Sequence, residues 1–172
     1  ISKFKVNNFT IAKFDEWKIN VKDERTKLFI DICYQCYLAY TKALRDNNAI
    51  DFEDMINNAA NILDKRIKEN DLLPYEYILV DEYQDISRQR FDLTTALSEV
   101  TDAKIIAVGD DWQSIYAFSG SDISLFTKFE EKMGYAKLLK IVRTYRNAQD
   151  VIDIAGNFIQ KNPSQIEKSL IS

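Results

Sequence analysis

Val80-Asp81-Glu82-Tyr83-Gln84-Asp85 and Val108-Gly109-Asp110-Asp111-Trp112-Gln113-Ser114-Ile115-Tyr116 are two polar turns that decide the fold. Each turn ends an apolar run typical of a buried strand, Tyr77-Ile78-Leu79-Val80 in one case and Ile105-Ile106-Ala107-Val108 in the other. Ligands of open α/β sheets bind at the carboxyl ends of the strands, so these turns predict a site there. An Asp-Glu pair at such an edge is the usual way to hold Mg²⁺ beside a nucleotide.

Helical and strand patterns alternate around these two turns. Apolar residues recur at helical spacing over 26–44 and again after Asp51, a plausible N-cap. The remaining predicted elements are short helices or turns carrying Phe9, Ile11, Phe14, Trp17 and Ile19, strand 77–80, a helix over 88–100 capped by Ser87, strand 104–108, a helix from Ser121 to Gly134, a strand over 137–142 and a helix from Asn147 to Ile159. The alternation predicts an α/β fold with parallel strands, preceded by a helical segment over residues 1–47.

Composition narrows the classes of function. The 172 residues are 46% hydrophobic and 29% charged, an ordinary globular mixture, and no apolar run approaches the roughly 20 residues of a membrane span. We therefore expect no membrane partner. Because the net charge is −4, we expect any DNA contact to be made by a local groove rather than by a basic face of the protein. The chain contains no His, which excludes Ser-His-Asp triads, Cys-His dyads and HExxH zinc sites within it.

Cys33 and Cys36 form a CxxC motif inside the helix predicted over 26–44. A redox pair usually lies where a strand meets the start of a helix, and zinc requires four ligands, which this chain does not supply in the usual spacing. The position in mid-helix favours two buried core residues instead.

The two turns carry the groups that a nucleotide site needs. Asp81 and Glu82 suit Mg²⁺ and proton transfer from an attacking water, although an acidic pair alone is also typical of a solvated turn. Gln113 offers an amide for a terminal phosphate, and by itself also fits an ordinary surface position. Asp110 and Asp111 either serve the metal or cap their turn.

Aromatic and basic residues follow these turns. Arg146, beyond the strand predicted over 137–142, is suited to stabilising charge on a transferring phosphoryl group, and it also fits an ordinary helix N-terminus. Tyr145 offers an aromatic face beside it. Tyr116 and Phe118 either stack on unpaired bases or pack in the core.

Together these segments resemble the superfamily 1 DNA helicases of the UvrD/Rep type. Asp81-Glu82-Tyr83-Gln84-Asp85 is similar to their motif II (Walker B), residues 109–116 are similar to motif III in the GDDWQ form of the helicase IV branch, and Thr144-Tyr145-Arg146 is similar to motif IV. Residues 50–54 and 158–165 resemble the stretches before motif II and after motif IV. The likeness covers about residues 25–170, in the family order.

The resemblance implies a cytoplasmic protein, with ATP and Mg²⁺ as cofactors and single-stranded or partial-duplex DNA as the partner. It implies that Asp81 and Glu82 bind the metal, with Glu82 also the catalytic base, and that Gln84 and Gln113 contact the γ-phosphate and the attacking water. It also implies that Tyr145 stacks on adenine and that Arg146 is an arginine finger. For DNA contact, the implied residues are Tyr116 and Phe118; Ala117 and Ser119 stand where many relatives carry Arg.

The implied fold is part of a RecA-like P-loop NTPase domain. Residues 1–47 are then the end of a 1B-like domain, residues 48–160 the C-terminal part of domain 1A, and residues 161–172 the start of a 2A-like domain. No Gly-Lys pair occurs in the chain, so the GxxxxGK[ST] loop that cradles phosphates is not among its 172 residues. We therefore expect an internal fragment that is inactive alone and needs the N- and C-terminal parts of the same polypeptide.

Two other classes of function compete with the helicase. One is a non-catalytic DNA- or protein-binding module that keeps the fold. The other is a metal-dependent nuclease in which Asp81, Glu82, Asp85, Asp110 and Asp111 hold two metal ions. The glutamines and aromatic residues fit a motor better than a nuclease.

Overall fold

The computed structural model describes residues 1–7 and 10–172; Phe9, assigned above to the weak N-terminal pattern, lies outside the described residues. Two compact units are present. The first comprises residues 1–78 and 87–106, and the second residues 79–86 and 107–172. Helices of the first unit are α1 (Ser2–Val6), α2 (Ile11–Asn20), α3 (Glu24–Asp46), α4 (Phe52–Lys68) and α5 (Arg88–Thr101). Those of the second unit are α6 (Ser124–Thr127), α7 (Phe129–Met133) and α8 (Gln149–Ile159).

The first unit is built on helices whose starts are capped as the sequence predicts. Asp51 accepts a hydrogen bond from the Asp54 backbone N–H at 2.8 Å and forms a capping box at the start of α4. Ser87 caps α5 through the Arg90 N–H. These side chains satisfy backbone donors that have no partner within the helix, so they fix where each helix begins.

Helix α3 confirms the predicted helix over 26–44, but not its predicted buried face. Ile30 is its buried residue, whereas Phe29 and Ile32 are exposed. Cys33 is half-buried and Cys36 is exposed, both as free thiols, so the prediction of two buried core cysteines is wrong. Helix α3 packs on α2, where the buried ring of Phe14 contacts the rings of Tyr34 and Tyr37.

Two strands form a parallel pair, β1 (Tyr77–Val80) and β2 (Lys104–Ala107). The Lys104 N–H donates to Glu76 O at 3.0 Å, and the Val108 N–H donates to Val80 O at 2.8 Å. Both strands were predicted as fully buried, and this is wrong, since burial alternates along each strand. A period of two is what a sheet covered on one face produces.

The third strand, predicted over 137–142, is absent. Residues 137–142 have no regular structure, and Leu138, Leu139 and Ile141 are exposed. Apolar residues form a strand only where a neighbouring strand completes the ladder of hydrogen bonds. In the described part of the chain, the neighbour available here is a single parallel bridge between Arg143 and Ile171.

The helix predicted from Ser121 to Gly134 is split into α6 and α7, and its first turn is capped by Asp122, whose Oδ1 accepts from the Ser124 N–H at 3.0 Å. Gly134 ends α7 at a φ of 88°, as predicted. Helix α8 begins after Ala148 without the side-chain cap predicted from Asn147. Within the described residues, no helix is sufficiently long and apolar to cross a membrane.

Candidate functional site

Gln84 connects the two polar turns. Its Nε2 donates to Glu82 Oε2 at 2.7 Å, and its Oε1 accepts from the Asp110 backbone N–H at 2.9 Å. The Gln84 side chain is 1% exposed, so its own polar atoms are shielded from competing water, although Glu82 lies at the surface. Ser114 Oγ adds a weaker bond to the Gln84 carbonyl at 3.4 Å. The turn after β1 and the turn after β2 are therefore one hydrogen-bonded unit.

Gly109 is required by the close approach of this amide. A Cβ at position 109 would lie 2.6 Å from Gln84 Oε1 and 3.0 Å from a ring carbon of Phe126. Carbon and oxygen do not approach that closely without displacement. The glycine thus belongs to the same structural element as Gln84, although 25 residues separate them in the sequence.

Asp81 and Glu82 are exposed at the end of β1. Asp81 Oδ1 accepts from the Glu82 N–H at 2.8 Å, and Glu82 has a φ of 50°, in the left-handed region that non-glycine residues seldom occupy. This backbone conformation turns the chain sharply into the 3₁₀ turn Tyr83–Asp85. Among the described residues, no donor reaches Asp81 Oδ2 or Glu82 Oε1. Two carboxylates with free oxygens in solvent fit Mg²⁺, which takes one or two carboxylates and keeps several waters.

The residues behind this pair are buried. Tyr83 packs between the rings of Phe126 and Phe129, and burial raises the pKa of Tyr83 to about 12. Asp85 Oδ1 is buried and has no hydrogen-bond partner among the described residues. The Tyr83 hydroxyl likewise has no partner among the described residues, and each unsatisfied buried polar atom costs stability.

Asp110 organises the second turn. Its Oδ1 accepts from the Trp112 N–H at 3.1 Å and its Oδ2 from Gln113 Nε2 at 2.8 Å. Burial raises the pKa of Asp110, but hydrogen bonds from Lys168 and Gln113 outweigh that effect and hold it below the ordinary value. Asp110 is therefore a cap for its turn, one of the two roles left open above, and it directs the Gln113 amide.

Asp111 is the buried member of the pair, with 0% of its surface exposed. Its Oδ2 accepts from the Ile166 N–H at 2.6 Å, and its Oδ1 forms an ion pair with Lys168. The Gln165 amide, assigned with its nitrogen toward Asp111, donates to Oδ2 at 2.7 Å. These contacts occupy the carboxylate internally. Lys168 was not identified from the sequence, because nothing local to it indicates that it contacts residues more than fifty positions earlier.

Tyr145 and Arg146 are exposed, Tyr145 at 85%. The Arg146 N–H donates to Thr144 Oγ1 at 3.4 Å. In the described part of the chain, no hydrogen bond or ion pair joins either residue to Glu82 or Gln113. The structure thus brings together Glu82, Gln84, Asp110 and Gln113, and leaves the motif IV residues apart from them.

Tyr116 and Phe118 are neighbours on the surface. Their rings are 5.9 Å apart at 47°, and both are substantially exposed. The alternative of core packing, left open by the sequence, does not describe them. Exposed aromatic rings at this spacing can stack on unpaired bases.

The acidic residues do not form a compact metal cluster. Over residues 1–7 and 10–172, no group of three or more Asp, Glu or Cys side chains is placed to share one ion. Asp110 and Asp111 are engaged with Lys168 instead. The geometry therefore does not favour the nuclease alternative.

Comparison with known proteins gives the family. The family model of the UvrD/REP helicase N-terminal domain matches residues 1–134. The chain belongs to this family. DNA helicase IV of Escherichia coli strain K12 is 43% identical over 135 residues, 78% of this chain and 19% of that protein. The putative ATP-dependent DNA helicase YjcD of Bacillus subtilis strain 168 is 30% identical over 158 residues, 89% of this chain and 20% of that protein. DNA helicase II of Rickettsia typhi strain Wilmington is 30% identical over 172 residues, 99% of this chain and 25% of that protein.

The chain spans about a fifth to a quarter of the length of these relatives. Membership of the UvrD/REP helicase family confirms the resemblance drawn from the motifs.

Proposed function

We propose that the full-length polypeptide carrying this chain is an ATP-dependent DNA helicase, and that this chain supplies part of its ATPase site. The observation that carries the proposal is the Gln84 bridge between Glu82 and the Asp110 backbone. An NTP-driven motor needs the metal-binding turn and the phosphate-sensing turn to move as one element, and a buried amide holding both provides that.

The proposed metal ligands are Asp81 and Glu82. Mg²⁺ bound there would neutralise charge developing on the terminal phosphates of ATP. Glu82, with one free carboxylate oxygen, accepts a proton from the attacking water. Gln84 holds Glu82 in place, and both Gln84 and Gln113 are proposed contacts of the γ-phosphate and that water.

The remaining roles fall to exposed side chains. Arg146 is the proposed arginine finger and Tyr145 the proposed adenine-stacking residue; their exposure leaves them free to meet a nucleotide. Tyr116 and Phe118 are the proposed contacts with single-stranded DNA, supported by their adjacent exposed rings.

The proposed domain boundaries follow the same scheme. Residues 1–47 end a 1B-like domain, residues 48–160 form the C-terminal part of a RecA-like domain 1A, and residues 161–172 begin a 2A-like domain. The parallel pairing of β1 and β2, with the polar turns at their carboxyl ends, supports the RecA-like part of this proposal. The phosphate-cradling loop would be supplied by another part of the polypeptide.

The test is DNA-stimulated ATP hydrolysis by the full-length polypeptide with Mg²⁺, comparing wild type with Glu82→Gln and with Glu131→Gln. Glu131 is an exposed residue of α7 that serves as the matched control. We expect Glu82→Gln to lower kcat by about a thousandfold or more while Glu131→Gln leaves it unchanged. Hydrolysis that survives Glu82→Gln would overturn the proposal.

A second arm addresses the binding-module alternative. The 172-residue chain contains no GxxxxGK[ST] loop, so we expect it to show no ATP turnover above background when assayed alone. Full-length protein that binds single-stranded DNA without any effect of ATP, and hydrolyses none, would replace the helicase with a non-catalytic module.

A further inference from the structure

Residues 165–172, here called the strap, lie against the turn that carries Gln113. The Ile166 N–H donates to Asp111 Oδ2 at 2.6 Å, and Trp112 Nε1 donates to Ile166 O at 3.2 Å. The strap therefore donates one hydrogen bond to the turn and accepts another from it. Because Asp111 is fully buried, this contact excludes water from one end of the strap.

Lys168 is the charged centre of that contact. Its Nζ forms ion pairs with Asp110 Oδ1 and with Asp111 Oδ1, and it lies 5.2 Å from the centre of the Trp112 ring. One ammonium therefore forms ion pairs with two neighbouring carboxylates and also contacts an aromatic face. Its side chain is mostly buried, so removing it would leave Asp110 and Asp111 to repel each other.

The other end of the strap lies against the segment that carries Arg146. The Ile171 N–H donates to Val142 O at 2.8 Å, and the Thr144 N–H donates to Ile171 O at 2.8 Å. Only two residues separate Lys168 from Ile171, a span of roughly 10 Å in extended chain. The strap therefore ties the Gln113 turn to the segment just before Arg146.

We propose that Lys168 is a positioning residue for ATP hydrolysis, acting through Asp110 to hold the Gln113 amide. The chain of contacts is direct: Lys168 binds Asp110 Oδ1, and Asp110 Oδ2 accepts from Gln113 Nε2 at 2.8 Å. With the ammonium in place, Asp110 stays charged and fixed, so the Gln113 amide keeps one orientation. The inference rests on the proposed function, since it assigns Lys168 to the same site.

The experiment uses the full-length polypeptide and measures kcat and KM for ATP separately. Lys168→Met removes the ammonium and keeps much of the side-chain volume. Lys140→Met is the matched control, because Lys140 and Lys168 line one surface cleft. Lys140 donates to the Glu167 carbonyl at 3.4 Å and has no ion pair with either aspartate among the described residues. We expect Lys168→Met to lower kcat by about 10- to 100-fold, with KM changed by less than about threefold, and Lys140→Met to change neither.

A double variant separates positioning from folding. Lys168→Met with Asp111→Asn removes both charges of the buried pair, so no buried Asp111 charge is left unpaired. We expect this variant to unfold at nearly the wild-type temperature and still to show the low kcat, because Asp110 lacks its cation. Wild-type kcat in either variant would overturn the proposal. Failure of both variants to fold would make Lys168 a folding residue and would overturn it equally.

The two proposals fail in different ways. Absence of ATP hydrolysis in the wild-type polypeptide removes the proposed function, and with it this inference. Wild-type hydrolysis that is lost in Glu82→Gln but kept in Lys168→Met removes only the role of Lys168.

Discussion

The side chain of Gln84 holds the backbone of Asp110, with 2.9 Å between Oε1 and the amide nitrogen, across 26 residues of sequence. The same amide holds Glu82 through its nitrogen. One buried residue therefore fixes both the carboxylate at the end of β1 and the turn at the end of β2. The first prediction follows because Gly109 packs closely against the Gln84 side chain.

Gly109→Ala should destabilise the protein, because its Cβ would lie 2.6 Å from Gln84 Oε1. Relief requires the amide to move away from Asp110, at a cost of about 1–3 kcal/mol in the free energy of unfolding, measured by urea denaturation. Gly156→Ala, in α8, is the comparison: its Cβ would lie 3.3 Å from a ring carbon of Trp112, so that ring must shift slightly. Helix propensity favours alanine by about 0.5–1 kcal/mol, so we expect a smaller loss of stability than in Gly109→Ala. Equal stability of Gly109→Ala and wild type would contradict the packing described here.

Arg146→Ala should lower kcat for ATP in the full-length polypeptide by roughly a thousandfold, as expected for an arginine finger. Since Arg146 is exposed and forms no ion pair among the described residues, its removal should change the free energy of unfolding by less than about 0.5 kcal/mol. Arg143, three residues earlier and also exposed, provides the control. A similar kcat loss in Arg143→Ala would indicate a general effect of charge instead.

Phe118→Ala should weaken binding of single-stranded DNA by about 1–3 kcal/mol, the usual contribution of one stacked base. Phe158→Ala is a closely matched control, because both side chains are 72% exposed. Fluorescence anisotropy with a labelled oligonucleotide, at one stated salt concentration, measures the difference. If the two variants bind alike, Phe118 does not stack on DNA.

Lys5→Met should destabilise the first unit, since Lys5 Nζ lies 2.7 Å from both Asp51 Oδ2 and Asp54 Oδ2. Removing the ammonium leaves the capping carboxylates of α4 without their cation, at a cost of about 2 kcal/mol. Lys3→Met, in the same helix but exposed, is the control and should be neutral.

The same ion pairs predict how stability depends on pH. Burial lowers the pKa of Lys5, but hydrogen bonds to Asp51 and Asp54 more than offset this and raise it above 10.5. Burial raises the pKa of Asp51, but its bonds from Lys5 and the Asp54 N–H lower it below 3.8. The Asp51 contribution is present above pH 3.8 and is lost as pH falls through the lower folded value. The Lys5 contribution is present below pH 10.5 and is lost as pH rises through the higher folded value. In Lys5→Met, the free energy of unfolding should therefore depend less steeply on pH at both the acidic and the alkaline end. The same pH dependence in Lys5→Met and wild type would contradict this assignment.

The sequence alone determined the local elements and the family. Asp51, Ser87 and Gly134 set helix ends as predicted, because capping depends on residues within one turn. The positions of β1 and β2 followed from short apolar runs bounded by polar turns. Since the family motifs are also local patterns, their order in the sequence was sufficient to indicate UvrD/REP membership.

Tertiary structure decided what depends on partners distant in sequence. The run over 137–142 has the composition of a strand but no ladder beside it, so it stays irregular. Asp110 and Asp111 were equivalent by pattern, yet Asp110 caps a turn and Asp111 is fully buried. The partners of Asp111, the Ile166 N–H and Lys168, lie more than fifty residues later in the sequence. Such long-range contacts produce no periodic pattern in the sequence. They form only when folding brings the strap against the Gln113 turn.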